Sequence, residues 1–168
     1  MLRLRPLRPD DEVAFRRGHE ELAGEGFTFG LGLEPGLPWD EYLRQRRDHR
    51  AGVNLPDGLV PSTFLVADVQ GQLVGRVSIR HQLNDVLLRE GGHIGYSVRP
   101  AHRRRGYATE ILRQSLIIAW SLGIDRALVV CNDDNLGSAK VIESCGGVLD
   151  SVLPATPGRA PVRRYWIS

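Results

Sequence analysis

The stretch that decides the fold covers residues 98–109 and reads Val-Arg-Pro-Ala-His-Arg-Arg-Arg-Gly-Tyr-Ala-Thr. It follows an apolar run at residues 93–98 that predicts a β-strand, and it opens a segment with apolar side chains at helical spacing. A junction from strand to helix directs several backbone N–H groups to one point, where the helix dipole adds partial positive charge. Gly106 lets the backbone approach a ligand closely, and the arginines offer cations to phosphate oxygens. The stretch therefore predicts a pyrophosphate-binding loop.

Within this stretch, the spacing Arg103-x-x-Gly106-x-Ala108 resembles the Arg/Gln-x-x-Gly-x-Gly/Ala signature of the GNAT superfamily of N-acetyltransferases. It has neither the Gly-Lys-Ser/Thr ending of a Walker A loop nor the three-glycine spacing of a Rossmann loop. The resemblance implies that the segment binds the pyrophosphate of acetyl-coenzyme A (acetyl-CoA), and that a backbone N–H near Val98 stabilises the developing oxyanion. The alternative is a basic helix N-terminus that binds no ligand. The donor-binding residues implied here are Ser97, Val98, Arg103, Arg104, Arg105, Gly106, Tyr107, Ala108 and Thr109.

Hydrophobic spacing and turn residues predict the order strand, two helices, three strands, helix, strand, helix, two strands. The fold class is α/β: a single GNAT-like domain over residues 1–168, with a mixed, mostly antiparallel sheet of about seven strands flanked by about four helices. Asp40 is the predicted cap of the second helix, and Gln70-Gly71 is the predicted turn of a hairpin. The predicted strands are residues 2–5, 63–67, 73–79, 93–98, 127–131, 148–150 and 162–167, and the predicted helices cover about 10–24, 40–52, 108–120 and 136–145.

A second motif, Asn135-x-x-Ser138-x-x-Val-Ile-Glu-x-x-Gly-Gly, follows the short strand at residues 127–131. In GNAT enzymes the matching asparagine hydrogen-bonds the pantetheine arm of the coenzyme, so the resemblance implies donor-binding roles for Asn135 and Ser138. The alternative is that Asn135 only caps the following helix. Two further stretches, Gly-Gly-His-Ile-Gly-Tyr at residues 91–96 and Arg-Tyr-Trp-Ile at residues 164–167, resemble a branch of uncharacterised bacterial acetyltransferases. That branch implies a fold and a donor but no acceptor.

Catalysis by such a domain requires removal of a proton from the attacking amine, which is protonated at neutral pH. His93, Glu90 and His81 are the candidate bases, because histidine titrates in the useful range and Glu90 lies at the mouth of the same strand. A core histidine bonded to the backbone is the alternative for His93. A solvated loop carboxylate is the alternative for Glu90.

The usual general acid of GNAT enzymes is missing from the second motif. Many of these enzymes place a tyrosine seven residues after the asparagine, where it protonates the departing thiolate, and this chain has Ile142 there. Tyr96 is the candidate proton donor in its place, with a packing role as the alternative. A thiol pKa of about 8.5 also lets the thiolate leave unaided near neutral pH.

The composition limits which classes of partner and which cellular location we expect. A formal net charge of +2 over 168 residues gives no charge excess for a nucleic-acid partner. The chain begins without an apolar signal segment and has no run near the roughly 18 apolar residues of a membrane span, so we expect a cytoplasmic protein without membrane contact. The two cysteines, Cys131 and Cys145, lack metal-ligand spacing, so no metal is expected.

The sequence therefore predicts an N-acetyltransferase that moves an acetyl group from acetyl-CoA to a primary amine of a small molecule, a peptide or a protein by direct attack. Its partners are acetyl-CoA and this acceptor, without nucleic acid, and the sequence leaves a homodimer open. A non-catalytic acyl-CoA-binding or sensor domain is the alternative function, and another donor such as succinyl-CoA fits the same motifs. Arg76 and Arg80, on the central hairpin, either bind an acidic acceptor or lie on an exposed strand face.

Overall fold

The computed structural model describes residues 1–168 and confirms the predicted order of elements. The strand order in the single sheet is β1-β2-β3-β4-β5-β7-β6, and every neighbouring pair is antiparallel except β4 and β5. The sheet is therefore mixed and mostly antiparallel, as predicted. Its strands are β1 (Leu2–Arg5), β2 (Ser62–Val69), β3 (Gln72–Arg80), β4 (Ile94–Val98), β5 (Ala127–Asn132), β6 (Val148–Leu153) and β7 (Val162–Ile167), and the α-helices are α1 (Glu12–Ala23), α2 (Trp39–Ala51), α3 (Tyr107–Ser121) and α4 (Leu136–Ser144).

Two local sequences show how the elements are set. Gln70 and Gly71 have φ values of 52° and 85°, the two positive angles of a type I′ turn, whose twist matches that of a hairpin. The strands β2 and β3 therefore stay paired up to the turn and are longer than predicted. The predicted cap of α2 is wrong, because the helix begins at Trp39 directly after Pro38. Asp40 lies inside the first turn, where its carboxylate interacts favourably with the helix dipole.

Helices cover both faces of the sheet, so β2 and β3 are buried on both sides. On one face, α3 and α4 pack over a core that includes Val77, Ile94 and Ile111. On the other face, α1, α2 and the loop between them pack over an aromatic core. None of the helices combines the length and the apolar character needed to cross a membrane. The rings of the aromatic core are those of Phe15, Phe29, Trp39, Tyr42 and Phe64.

A buried ion-pair cluster fixes the start of α1 against the sheet. Arg5 on β1 donates to both carboxylate oxygens of Asp11, at 2.8 and 2.9 Å, and to Asp68 on β2 at 2.8 Å. The three side chains are only 9%, 8% and 7% exposed. Asp11 ends the 3-10 turn that leads into α1, so the cluster joins the first helix to the first two strands.

The strands β4 and β5 part soon after they meet. They are parallel, and only Ile94 and Val129 are in register as partners. Beyond this pair the facing edges have no shared ladder, which leaves backbone groups of both strands without a partner strand. Because α3 follows β4 and α4 follows β5, the gap between the strands opens toward the N-termini of two helices.

Candidate active site

The loop before α3 presents free backbone N–H groups. The N–H groups of residues 104–109 donate to no other part of the chain, and the first intrahelical bond runs from Glu110 N–H to Gly106 O at 3.2 Å. Gly106 caps the helix with a left-handed φ of 79°, and Arg104 is left-handed as well, with a φ of 60°. Unpaired N–H groups and the positive end of the helix dipole together attract anions. The loop therefore has the geometry of the predicted pyrophosphate site.

The three arginines of this loop have different surroundings. Arg103 donates to the two carboxylate oxygens of Glu25 at 2.8 and 3.2 Å, and its Nε donates to Val98 O at 3.2 Å. Arg104 and Arg105 are exposed and form no ion pair. Arg103 therefore holds the loop in place, whereas Arg104 and Arg105 keep their charges available for phosphate oxygens.

A cleft of 790 Å³ lies between the end of β4 and the first turns of α3 and α4. It brings together most of the site residues that the sequence predicts. The three candidate bases His81, Glu90 and His93, which precede β4, do not line it, and neither does Arg105, which is exposed in the same loop. Those that do line it are Tyr96, Ser97, Val98, Arg103, Arg104, Gly106, Tyr107, Ala108, Thr109, Asn135 and Ser138.

The residues that close the cleft on the α1 side were not predicted from the sequence. Leu22, Glu25 and Phe27 line it opposite α4. Glu25 meets Arg103 across 78 residues of chain, a separation over which no local pattern signals a contact. Phe27 also lines a smaller pocket of 320 Å³ formed within residues 19–34.

Strand β4 supplies two polar groups to the cleft. Arg99 N–H donates to Val74 O on β3 at 2.8 Å. The N–H groups of successive residues in a strand point to opposite sides. The N–H of Val98 therefore points away from β3 and toward the gap between β4 and β5. The hydroxyl oxygen of Ser97 is buried and has no hydrogen-bond partner in the chain. Such orphaned groups are uncommon in proteins, and here the orphan adjoins the gap.

Tyr96 and Ser138 meet across the cleft, with their hydroxyl oxygens 2.9 Å apart. Burial raises the pKa of Tyr96 to about 12, and the bond to Ser138 acts in the opposite direction. The Tyr96 hydroxyl is therefore protonated near neutral pH and can act as a donor. Ile142 of α4, at the position where many GNAT enzymes have a tyrosine, is fully buried in the core and does not line the cleft.

Comparison with known proteins identifies the family. Residues 1–148, most of this chain, match the family model described as "Acetyltransferase (GNAT) domain". The chain belongs to the GNAT acetyltransferases. A stretch of 60 residues is 37% identical to the uncharacterized N-acetyltransferase YjdG of Bacillus subtilis (strain 168). That match covers 34% of this chain and 34% of YjdG, so the shared region spans about a third of each protein.

Solved structures share the fold of this GNAT domain over nearly its whole length. The protein yncA of Salmonella typhimurium, whose structure contains its cofactor acetyl-CoA, superposes with a TM-score of 0.67. The match covers 99% of this chain and 93% of that one at 16% identity. An acetyltransferase from Agrobacterium tumefaciens str. C58 gives a TM-score of 0.62 over 98% and 90% of the two chains, at 23% identity. Identities this low show a common fold and no more.

Asn135 of the GNAT domain combines a cap with a free amide. Its Oδ1 accepts the N–H of Ser138 at 3.1 Å, which makes it the N-cap of α4. Its Nδ2 donates to no group in the chain, and the residue lines the cleft. The cap thus holds the side chain in place and leaves the amide nitrogen available to a ligand.

Two substitutions should separate the cap from the ligand contact. Asn135→Ala removes both and should destabilise the fold by about 1 kcal/mol, as loss of an N-cap does. Asn135→Ser keeps a capping oxygen but has no amide, so we expect a melting temperature near that of the wild type and acetyl-CoA binding weakened by about 1 kcal/mol, roughly fivefold. Thermal denaturation and calorimetry measure the two effects. Unchanged affinity in Asn135→Ser would show that the amide does not contact the donor.

His93 lies immediately before β4 and is tied to β5. Its Nδ1 accepts the N–H of Leu128 at 2.9 Å, and its own N–H donates to Leu128 O at 2.7 Å. Burial, with a smaller effect from the charge of Arg80, lowers the pKa of His93. Because Nδ1 accepts, the neutral ring carries its proton on Nε2. In this tautomer the ring can donate a hydrogen bond but has no free lone pair for an acceptor's proton.

Glu90 lies in a π-helical turn, Leu87–Gly91, that the sequence did not predict. Its carboxylate forms an ion pair with Arg159 from the loop between β6 and β7. His81, the third candidate base, has its Nε2 2.8 Å from the hydroxyl oxygen of Thr63. Each of the three candidate bases therefore contacts another group of the chain, and their roles as bases stay predictions. No three His, Cys, Asp or Glu side chains converge in the structure as metal ligands would.

The His93 contact should make the stability of the domain depend on pH. The folded-state pKa of His93 lies below the unfolded value of about 6.5, so the unfolded chain binds the proton more readily. The stabilisation is therefore present above pH 6.5 and is lost as the pH falls below it. Between pH 7.5 and 5.5, we expect the free energy of unfolding to fall by up to about 1 kcal/mol more in the wild type than in His93→Gln. Denaturant titrations at both pH values measure this difference, and equal pH dependence would contradict it.

Proposed function

We propose that this GNAT domain transfers an acetyl group from acetyl-CoA to a primary amine. The observation that carries the proposal is the row of six unpaired backbone N–H groups at residues 104–109, which borders the cleft beside β4. A row of this kind at a helix N-terminus favours an anion, and the diphosphate of coenzyme A is one. The cleft volume of 790 Å³ is in the range of cofactor sites.

Each part of the donor has a candidate partner in the chain. The N–H groups of residues 104–109, with the unpaired side chains of Arg104 and Arg105, would hold the diphosphate. The free amide of Asn135 would hold the pantetheine arm, and the Val98 N–H would donate to the acyl oxygen as negative charge develops there. When bound, acetyl-CoA supplies a thioester carbon that an amine can attack.

The amine first gives its extra proton to the solvent and becomes a nucleophile. As the C–N bond forms and the C–S bond breaks, this neutral amine loses a second proton and the departing thiolate gains one. Tyr96 is the proposed donor to the thiolate, because its hydroxyl is protonated, lines the cleft and is hydrogen-bonded to Ser138. Water is the proposed acceptor of the amine proton. His93 and Glu90 are less suited to that role. The Nδ1 lone pair of His93 already accepts the N–H of Leu128, and the carboxylate of Glu90 is paired with Arg159.

The role of Tyr96 can be tested with Tyr96→Phe. We expect kcat to fall by about 10²-fold, the lower end for a general acid, because a thiolate is a fair leaving group. Acetyl-CoA affinity should be unchanged, since the ring remains. Tyr165→Phe is the control, as its hydroxyl bonds Glu143 away from the cleft, and it should leave kcat unchanged. An unchanged kcat in Tyr96→Phe would leave Tyr96 with a packing role.

The proposed function is tested first by thermal denaturation with acetyl-CoA and then by thiol release in the presence of amines. Ligand at a hundredfold excess over its Kd should stabilise the fold by about 2.7 kcal/mol. Thiol release that depends on an amine supports the proposal. Binding without release for every amine favours the non-catalytic sensor domain instead. Succinyl-CoA is measured in parallel, and tighter binding with faster turnover would make it the donor.

A further inference from the structure

Three arginines lie on the α1–α2 face of the sheet without an acidic partner. Arg76 and Arg80 belong to β3 and Arg46 belongs to α2, and none of them forms an ion pair. Arg76 is 3% exposed, so the alternative that it lies on an exposed strand face is wrong. Arg46 and Arg80 are half-buried. Charges removed from water are normally paired, because their desolvation is unfavourable. Burial accordingly lowers the pKa of each of the three.

These three side chains form one group, here called the arginine cluster. The guanidinium carbons of Arg46 and Arg76 lie 5.9 and 5.7 Å from the centroid of the same ring, that of Phe64. Arg76 donates to Gly95 O at 3.1 Å, and the Arg80 side chain covers the same glycine on β4. Arg46 and Arg76 therefore share the ring of Phe64 on β2, and Arg76 and Arg80 share Gly95 on β4.

The internal contacts of the chain account for only part of the cluster. Arg76 donates to three backbone carbonyls, two of them in the loop between α1 and α2, and so holds that loop on the sheet. Arg80 makes one hydrogen bond, to Gly91 O at 3.2 Å. Arg46 stacks on the ring of Tyr42 at 4.7 Å but makes no hydrogen bond, and its Nε is buried without a partner. Arg46 and Arg80 thus keep donors that the chain does not use.

The cluster borders the proposed site of acetyl transfer. Ser97, which lines the cleft, is the register partner of Arg76 and therefore shares its face of the sheet. Phe27 lies over the guanidinium of Arg76 at 4.8 Å, and it lines both the cleft and the smaller pocket. An acceptor that enters from the α1–α2 side would therefore meet the cluster as it approaches the end of β4.

We infer that the acceptor amine carries a carboxylate, which Arg46 and Arg80 bind beside β4. The inference rests on the proposed acetyl transfer and specifies its acceptor. The carboxylate supplies the missing negative charge, and guanidinium groups offer it paired hydrogen bonds. It takes no part in the reaction, in which the C–N bond forms at the amine, the C–S bond breaks and the amine proton leaves to water. A polyamine would add positive charge at the same place and is a poor fit.

Matched acceptors test the inference by thiol release. One arm pairs free amino acids with their α-amides, and the second pairs tetrapeptides that begin with Asp or Glu with those that begin with Asn or Gln. Each pair differs in a single carboxylate, and spermidine is the cationic comparison. In at least one arm we expect kcat/KM to be tenfold or more higher for the carboxylate member. The arm that shows this preference tells whether the acceptor is a free amino acid or a peptide.

Substitutions test whether the arginine cluster causes the preference for a carboxylate in the acceptor. Arg46→Met should remove it, mainly through KM, whereas Arg46→Lys should retain part of it. Arg47→Met, an exposed neighbour on α2, should change nothing. Loss of an uncompensated charge should leave the melting temperature of Arg46→Met equal or higher, which a structural role would not do. Arg80→Gln is the second variant, with the same expected loss of preference.

The outcomes separate the inference from the proposed function. If the wild type does not bind acetyl-CoA, the proposed function fails. It also fails if acetyl-CoA binds but no amine is acetylated. If the amides or spermidine are acetylated as fast as the carboxylate amines, or are acetylated while no carboxylate amine is, only the inference is overturned. A carboxylate preference that persists in both Arg46→Met and Arg80→Gln also overturns it. Acetyl-CoA affinity, measured by calorimetry, should be the same in every variant of the cluster.

Discussion

Replacement of Gly106 by valine should weaken acetyl-CoA binding by at least about 100-fold, or about 2.7 kcal/mol. Gly106 has a φ of 79°, and no atom of the chain lies within 4 Å of where its Cβ would be. In the proposed complex that space faces the diphosphate, so the valine methyls would keep the ligand away from the N–H groups of residues 104–109. A side chain at this φ also strains the loop by roughly 1–2 kcal/mol.

The control must reproduce the backbone strain without touching the cleft. Gly123 follows the other end of α3 with a φ of 85° and an equally open Cβ position. Gly123→Val should therefore lower the melting temperature about as much as Gly106→Val and leave acetyl-CoA affinity unchanged. Calorimetry on both variants at a temperature where each is folded makes the comparison. Equal affinities in Gly106→Val and the wild type would remove the diphosphate from this loop.

Replacement of Arg5 by leucine should destabilise the fold by about 3–5 kcal/mol, the usual effect of removing one partner from a buried ion pair. Arg5 is the sole cation that pairs with Asp11 and Asp68, and both carboxylates are nearly buried. Without it, two negative charges remain close together and largely out of water. The start of α1 would also lose its attachment to β1 and β2.

The effect of Arg5→Leu is measured as the shift in the free energy of unfolding by denaturant titration. Arg3→Leu is the control, because Arg3 lies on the same strand but is exposed and forms no ion pair. It should change stability by no more than about 0.5 kcal/mol. If Arg5→Leu were as stable as Arg3→Leu, the expected contribution of the ion-pair cluster of Arg5, Asp11 and Asp68 would be contradicted, because apolar packing could replace it.

The parts of the molecule that sequence predicted correctly are those set by local chemistry. The order of strands and helices follows from hydrophobic spacing, and the hairpin follows from Gln70-Gly71. The loop before α3, with its free N–H groups, was predicted because its glycine, its arginines and the strand before it are adjacent in the chain. Its binding of the donor stays a prediction. The oxygen of the Asn135 amide caps α4, as one of its two alternatives predicted, and the amide nitrogen is free, so its contact with the donor stays a prediction.

The features that the sequence could not predict are contacts between segments that lie far apart in the chain and meet only in the fold. Alternation along β3 shows that Arg76 and Arg80 share a face, but not that the loop between α1 and α2 covers it. The lone pair of His93 is occupied by Leu128, a contact between strands that come together only in the fold. Phe27 belongs to a loop without a repeating pattern, so its position over the cleft has no local signal.

The single pair of residues in register between β4 and β5 has a consequence for cooperativity. Strands β1–β4 and β5–β7 form two half-sheets, and helix packing rather than a continuous ladder couples them. In the free protein, native-state hydrogen exchange should therefore resolve two opening units with different free energies. A ligand lodged in the gap would bridge both halves and merge them into one unit. Amides on the facing edges of β4 and β5 would then gain protection, while those at the β2–β3 pairing would change little.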